Sequence, residues 1–149
     1  MFEISAKEQP VLIERFDINM DAKEDPVQVY YRPGFVDYRY DSSYALIFGS
    51  NITGNGKGLA TPLPSFTSPV LISPGQHITF YVTVANTNGA NLWYTLGVGS
   101  GTTYASDSNI NIIEGYASGF PWKGFALDRR WNGKSIKKKT AFSTVPHTN

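Results

Sequence analysis

The sequence lacks cysteine, long apolar runs and, over its middle part, charge. With no cysteine among 149 residues, there is no disulfide frame, no thiol nucleophile and no thiolate metal site. No apolar run reaches the length of a membrane span. The first residues, Met-Phe-Glu-Ile-Ser-Ala-Lys, lack the basic and apolar regions of a signal peptide. These absences leave the compartment open, because the leader of a secreted form could have been removed or lie outside this sequence.

Charge is distributed unevenly along the chain. Residues 1–41 carry nine acids and five bases, residues 42–106 contain a single formal charge, Lys57, and residues 123–139 carry seven bases and one acid. A polar but nearly uncharged middle, rich in Ser, Thr, Asn and Gly, suits packed strands with hydroxyl-rich outer faces. Such faces are common in extracellular and sugar-contacting β domains, so composition favours an extracellular or cell-surface location.

Aromatic and turn-forming residues are abundant. Aromatics make up 14% of the chain, which also contains 14 Gly and 9 Pro. This combination favours short strands and tight connections over helices. A chain of 149 residues fits one domain that can bury a core without disulfides or metal.

The clearest strand signal is the segment 76–84, Q-H-I-T-F-Y-V-T-V. Its even-numbered positions from Ile78 to Val84 are apolar, and its odd-numbered positions are His, Thr or Tyr. This is the period-2 pattern of a strand with one face in a core. The Ser-Pro-Gly at 73–75 predicts a turn before it. Because the segment contains no Pro or Gly, we expect a central strand, and the segment 44–50, apolar on both faces, is also expected to be central.

Weaker patterns of the same kind predict further strands at 11–20, 27–32, 44–50, 68–73, 92–96, 109–114 and 129–137. The remaining segments are predicted to be a peripheral N-terminal segment at 1–10, loops at 97–108 and 115–128, and a disordered basic tail at 138–149. The domain would then span 11–137. The sequence predicts an all-β fold, a two-sheet antiparallel β-sandwich of about eight or nine strands in a jelly-roll or similar Greek-key order.

One candidate metal site follows from spacing. Asp17, Asn19 and Asp21 match the D-x-N-x-D opening of an EF-hand calcium loop. The rest of the motif is missing, because Ala and Gln stand where the loop requires Gly and a bidentate Glu. A solvated strand face is the simpler interpretation. A calcium site of another type, with Asp107 as a further ligand, stays open as the alternative, and no other cofactor is expected.

Four aromatic residues are the candidate ligand-binding residues. Trp93 is predicted to lie on the strand face opposite its apolar neighbours and therefore to be exposed. Tyr116 and Trp122 lie in the predicted aromatic loop, and Trp131 follows two arginines. Exposed rings beside Asn and Thr can stack on the C–H faces of sugars, whose hydroxyls then form hydrogen bonds. The alternative is that these tryptophans belong to the core or hold loops in place.

Catalytic signatures are scarce. There are two histidines, His77 on the non-core face of the predicted central strand and His147 in the predicted tail. No local motif marks a nucleophile or an orienting acid for either. An enzyme is therefore not expected. A hydrolase would need a pocket that joins two carboxylates or a histidine and an acid.

Basic residues cluster near the C-terminus: Arg129, Arg130, Lys134, Lys137, Lys138 and Lys139. The cluster could bind an acidic polysaccharide or nucleic acid. The acidic first third of the same chain, or of a neighbouring copy, is a simpler partner, and a solvated tail is simpler still. Nucleic acid is not the expected partner.

A series of short motifs runs through most of residues 11–136: F-D-I-N-M-D at 16–21, the stretches 27–34, 54–66 (with T-P-L-P-S-F), 75–84, 92–97 and 104–115, and R-W-N-G at 130–133. In this order they resemble a domain found, often in tandem copies, in uncharacterised proteins of diatoms and related algae. The resemblance implies an all-β module of a larger surface or matrix protein. It transfers no functional residue, because that family has no assigned catalytic site. The stretch W-N-G-K-S-I-K-K-K departs from the family's closing pattern, which places an aromatic after the aliphatic residue.

These observations predict a non-catalytic binding or adhesion module of a larger protein, which recognises glycan or protein through loop aromatics and polar strand faces. A structural module that assembles with copies of itself, through strand edges or oppositely charged ends, is the alternative. A glycan-active hydrolase is a third hypothesis.

Overall fold

A computed structural model of the protein describes residues 1–35, 43–120 and 123–139. All regular elements within these ranges are β-strands, namely β1 (Phe2–Ala6), β2 (Val11–Asn19), β3 (Glu24–Pro33), β4 (Ala45–Thr53), β5 (Ala60–Pro62), β6 (Val70–Ile72), β7 (His77–Val84), β8 (Tyr94–Leu96), β9 (Thr103–Ser106), β10 (Ile110–Ile113), β11 (Gly115–Gly119), β12 (Lys123–Trp131) and β13 (Lys134–Lys139). The all-β prediction is confirmed, with 13 strands instead of the predicted eight or nine. In the described part of the chain, no helix is long and apolar enough to cross a membrane.

The strands form three antiparallel sheets. A six-stranded sheet has the order β4-β3-β7-β1-β10-β9, and a four-stranded sheet has β2 between β13 on one side and β5 and β6 on the other. A small third sheet has the order β11-β12-β8. Neighbours such as β7 and β1 are far apart in sequence, so most of the six-stranded sheet depends on long-range pairing. The sandwich-like architecture predicted from the sequence is thus present.

The main core lies between the six-stranded and four-stranded sheets. Phe2 and Phe80, from neighbouring strands of the larger sheet, meet Phe16 of β2 with ring-centroid distances of 5.6 and 5.1 Å. Trp131, at the end of β12, stacks on Phe2 at 4.2 Å and contacts Phe16 edge-on at 4.8 Å. These four aromatic side chains are buried. Their contacts connect the six-stranded sheet, the four-stranded sheet and the end of the third sheet.

Strand β7 is central, as predicted, with β3 on one side and β1 on the other. The turn before it is also confirmed, because Gly75 has a φ of 75° and Gln76 N–H donates to the carbonyl of Ser73. The polar face of β7, however, is not solvated. Thr79 and Tyr81 are 0% and 1% exposed. The hydroxyl of Tyr81 donates to carbonyls of β11, so the third sheet covers a face that alternation alone assigns to solvent.

The prediction of a peripheral N-terminal segment was wrong. Strand β1 lies in the middle of the six-stranded sheet, between β7 and β10, and all five of its residues are buried. Phe2, Ile4 and Ala6 face the core, while Glu3 and Ser5 lie on the other face. The strand signal was weak because residues 1–10 contain three charged side chains, Glu3, Lys7 and Glu8. The charge of Glu3 is accommodated because the side chain of His77, on the neighbouring strand β7 and opposite Ser5, pairs with it.

Other strands also differ from the predictions. The predicted loops 97–108 and 115–128 contain β9, β11 and the start of β12, and irregular register between β11 and β12 explains why their alternation is hard to read. The segment 44–50 belongs to β4, which lies at the edge of the sheet instead of its centre.

The C-terminal part also differs from the prediction. The single predicted strand 129–137 is divided between β12 and β13, which lie in different sheets. Strand β13 continues to Lys139, into the predicted tail, and the rest of that tail lies outside the described residues.

Candidate functional site

An open groove of about 360 Å³ is lined by β7, the segment 85–93, β8, β11 and the end of β12. Its aromatic and cationic members are Phe2, Tyr81, Trp93, Tyr94, Tyr116, Phe120, Arg129, Arg130 and Trp131. We call it the aromatic groove. Long stretches of sequence separate these residues, and the groove exists because the third sheet packs beside β7. It therefore combines aromatic rings with cationic residues, and the guanidinium of Arg129 lies 5.6 Å from the ring of Tyr94, an arrangement suited to ligands that are both flat and anionic.

Trp93 is a wall of the aromatic groove and is half-buried. Its Nε1–H donates to Oδ1 of Asp21 at 2.6 Å, and the ammonium group of Lys57 lies 3.8 Å from its ring centroid. The hydrogen bond from Trp93, together with those from Asn91, keeps the pKa of Asp21 below its ordinary value. The indole is thus held in one orientation, with a cation on one of its faces.

The neighbouring residues of Trp93 contradict the predicted core face of this segment. Tyr94 is 49% exposed and Leu96 is 71% exposed, whereas both were expected to point inward. Strand β8 is only three residues long and lies at the edge of the third sheet, beside β12. All three of its residues are exposed. The exposed ring of Tyr94 lies 5.6 Å from the guanidinium of Arg129. The groove thus has an exposed ring, that of Tyr94, beside a half-buried arginine.

Tyr116 lies on β11, a strand and not the predicted loop. It lines the aromatic groove, and its backbone pairs with that of Met1 through hydrogen bonds in both directions. Burial of the Met1 amino group lowers its pKa to about 5. This amino group is therefore neutral at pH 7 and adds no charge to the groove, so the arginines dominate its electrostatics.

Trp131 lines the aromatic groove but is largely buried. It was a candidate because it follows two arginines, yet it is 8% exposed and stacks on Phe2. One edge of the indole lies against Gly133, where an added Cβ would be 2.0 Å from Cζ2. Trp131 forms the inner end of the groove wall and belongs to the core. The remaining candidate, Trp122, lies outside the described residues.

A buried carboxylate holds one arginine of the groove. Glu114, with 0% exposure, accepts a hydrogen bond from Nε of Arg130 at 2.6 Å and others from the backbone N–H groups of Val98 and Gly99. Burial alone would raise the pKa of Glu114, but these hydrogen bonds and the charge of Arg130 keep the pKa below its usual value. The ionised carboxylate therefore fixes the orientation of the Arg130 side chain.

The candidate calcium ligands are not brought together. Asp17 pairs with Arg15, Asn19 accepts the N–H of Gly58, and Asp21 binds Trp93. Asp107 receives the N–H groups of Asn109 and Ile110 and pairs with Lys137 at 2.6 Å. Within the residues that the structure describes, no group of three or more acids and histidines could hold a metal ion. The solvated-face interpretation of Asp17 and Asn19 agrees with their partial exposure on β2.

The hydrolase hypothesis required a histidine–acid pair. Such a pair lies on the face of the six-stranded sheet that points away from the main core. Nδ1 of His77 lies 2.9 Å from Oε1 of Glu3. Ser5 lies opposite His77 across the strand pair, but its hydroxyl is hydrogen-bonded to Asn111. No described hydroxyl is hydrogen-bonded to His77, so the pair has the orienting acid of a triad without its nucleophile.

Comparison with known proteins gives no match. No family model, no curated protein and no solved structure matches this chain. The resemblance to the algal domain therefore stays a prediction, and the site has to be interpreted from its geometry.

Several groove residues escaped the sequence analysis. Tyr94 was assigned to a core face, and Arg129 and Arg130 were assigned to a basic cluster with no connection to the aromatics. Alternation along this stretch was a usable signal, because it places Arg129 on the same strand face as Trp131 and Arg130 on the opposite face. What the sequence lacked was any sign that β8 and β12 pair, which brings Thr95 opposite Arg130.

Proposed function

We propose that the protein is a non-catalytic binding module that recognises an acidic glycan, one with carboxylate or sulfate groups, in the aromatic groove. The supporting observation is the presence of Trp93, Tyr94 and Tyr116 in the same open groove as Arg129 and Arg130. Aromatic rings stack on the C–H faces of sugars. Guanidinium groups pair with planar anions through two hydrogen bonds.

The charge around the groove favours an anionic ligand over a neutral one. Glu114 compensates part of the charge of Arg130, whose side chain is 35% exposed. Arg129 lies between the ring of Tyr94 and the carbonyl of Asp128, and the described lining contains no carboxylate side chain. An acidic sugar would therefore meet positive charge together with an apolar surface.

The test is binding of acidic and neutral oligosaccharides, measured by isothermal titration calorimetry. Oligogalacturonate and sulfated galactan fragments serve as acidic probes, with uncharged galactan fragments as the neutral ones. Tyr94→Ala should weaken acidic binding about tenfold, equivalent to about 1.4 kcal/mol, because it removes the exposed ring. Arg129→Gln should weaken it further and reduce its salt dependence.

Leu96→Ala is the matched control. Leu96 lies two residues from Tyr94 on the same strand, is 71% exposed and does not line the groove. Its substitution should leave binding unchanged. An equal loss of affinity in Leu96→Ala and Tyr94→Ala would contradict the proposal. Equal affinity for acidic and neutral sugars would contradict it as well.

Self-association is the second candidate function, favoured by the exposed edge of the third sheet. Strand β8 ends that sheet, and Tyr94, Leu96 and the following Val98 are 49%, 71% and 77% exposed. An uncovered edge with apolar side chains is a template for strand pairing. We expect concentration-dependent dimers by light scattering, abolished in Leu96→Lys. A monomer at high protein concentration and low salt would exclude this function.

A further inference from the structure

A second groove, of about 570 Å³, lies over β1, β7, β9 and β10, on the face of the six-stranded sheet opposite the main core. Its polar members are Glu3, Ser5, Lys7, His77, Ser100, Thr103, Asn111 and Tyr116. We call it the polar groove. Among the described residues, Tyr116 is the one that lines both grooves. Apart from Tyr116, the two grooves are therefore lined by different side chains.

The histidine of the polar groove has a defined orientation. Nδ1 of His77 faces a carboxylate oxygen of Glu3 at 2.9 Å. Because a carboxylate accepts but does not donate, the Nδ1 atom carries the proton. The lone pair of the neutral ring is then on Nε2, which has no hydrogen-bond partner among the described residues. The Glu3 side chain is 4% exposed and that of His77 is 30% exposed, so a ligand would reach the imidazole first.

An apolar surface lies directly beside this histidine. The ring of Phe35 is 4.6 Å from the imidazole, centroid to centroid, and Phe35 is 70% exposed. Ser5 lies across from His77 in the strand pair, and the side-chain amide of Asn111 donates to the Ser5 hydroxyl at 3.4 Å. The groove thus presents a flat ring beside hydrogen-bonding groups of both kinds.

We infer that the polar groove binds a neutral, hydroxyl-rich ligand, a saccharide whose C–H face packs on Phe35 while one hydroxyl donates to Nε2 of His77. Glu3 is the positioning residue, because it fixes the ring and its tautomer without needing to touch the ligand. An apolar face bordered by a few oriented polar groups is the usual composition of a sugar site.

Other ligand classes fit this groove less well. The carboxylate of Glu3 repels an anion, and the ammonium of Lys7, which also lines the groove, is already bonded to the carbonyl of Asp107. A metal ion would find one imidazole and no cluster of three acids or histidines in the described chain. The inference does not depend on the aromatic groove.

The test is nuclear magnetic resonance of full-length protein labelled with ¹⁵N-histidine. The chain has only two histidines, and His77→Gln assigns the signals. Glucose, mannose, galactose and cellobiose are the saccharide probes, with sulfate and Zn²⁺ as competing ones. We expect a saturable shift of the Nε2 resonance of His77 with at least one saccharide. No saccharide response, or a response to sulfate or Zn²⁺ alone, would overturn the inference.

Two variants separate binding from folding. Phe35→Ala should weaken the saccharide about tenfold, whereas Leu59→Ala, another exposed apolar side chain (60%) outside the groove, should not. Glu3→Gln should weaken binding and shift the His77 tautomer away from the Nδ1–H form, a change that a purely structural role would not produce. Because Phe35 is exposed, its variant decides the question even if Glu3→Gln fails to fold, and unchanged affinity in Phe35→Ala would overturn the inference.

Discussion

Asp25→Ala is expected to lower the free energy of unfolding by about 3–5 kcal/mol. Asp25 is 0% exposed, at the start of β3. Its carboxylate accepts hydrogen bonds from the backbone N–H groups of Thr87, Asn88 and Ala90, at 2.9 to 3.2 Å, and from the Thr87 hydroxyl. Alanine would leave these donors without a partner in a place that water reaches poorly, and each lost partner carries a desolvation cost.

Urea denaturation at neutral pH measures this loss. Asp25→Asn is the informative control, because the amide keeps the shape and one acceptor oxygen, so its loss should be smaller. Thr83→Ser, a substitution at another buried polar residue outside this network, should cost less than either. A loss below about 1 kcal/mol for Asp25→Ala would show that water replaces the carboxylate at the turn.

The same contacts give Asp25 a defined effect on acid stability. Burial alone would raise its pKa, but the hydrogen bonds from Asn88, Ala90 and Thr87 outweigh burial and lower the pKa below 3.8. A folded-state pKa below the unfolded one means that the carboxylate stabilises the fold above pH 3.8 and loses this contribution as pH falls through the folded pKa. As pH falls below 3.8, the free energy of unfolding of the wild type should therefore decrease more steeply than that of Asp25→Asn.

Glu114→Ala is the second large effect, with an expected loss of about 3–4 kcal/mol in the free energy of unfolding. Glu114 is fully buried and supports both the backbone of Val98 and Gly99 and the side chain of Arg130. The carboxylate packs so closely on Gly97 that a Cβ there would be 2.2 Å from its Oε2. Removing it leaves a cavity, two amides and one partly buried guanidinium without their acceptor.

Hydrogen exchange and calorimetry together test this prediction. Amide exchange at Val98 and Gly99 should accelerate in Glu114→Ala, while exchange in β3 and β7 should change only with global stability. Glu114→Gln keeps the volume and one acceptor and should retain part of the stability. Unchanged exchange at Val98 and Gly99 together with unchanged stability would contradict the role assigned to Glu114.

Much of the local structure was predictable because it depends on neighbours in the sequence. The alternation from Ile78 to Val84 identified β7 and its central position correctly. The turn at Gly75 was found from Ser-Pro-Gly, and this glycine has a positive φ value. Errors arose where alternation is interrupted, as in β11, or where one charge lies within a short strand, as in β1.

The candidate site was only partly predictable. Trp93, Tyr116 and Trp131 were proposed as ligand-binding residues and all three line the aromatic groove. Sequence did not show that Trp131 is buried against Phe2, because a core tryptophan and an exposed one look the same in sequence. Tyr94 was placed on the wrong face, since the alternation of a three-residue edge strand does not show which side is covered.

The sequence by itself determined the class of structure: its period-2 patterns, abundant turn residues and absence of helical periodicity require an antiparallel β-fold. Only the tertiary structure decided which polar groups are buried and which residues meet in the grooves. The physical reason is distance along the chain. Asp25 meets its partner Thr87 across 62 residues and Glu3 meets His77 across 74, and no local pattern records a hydrogen bond between strands so far apart.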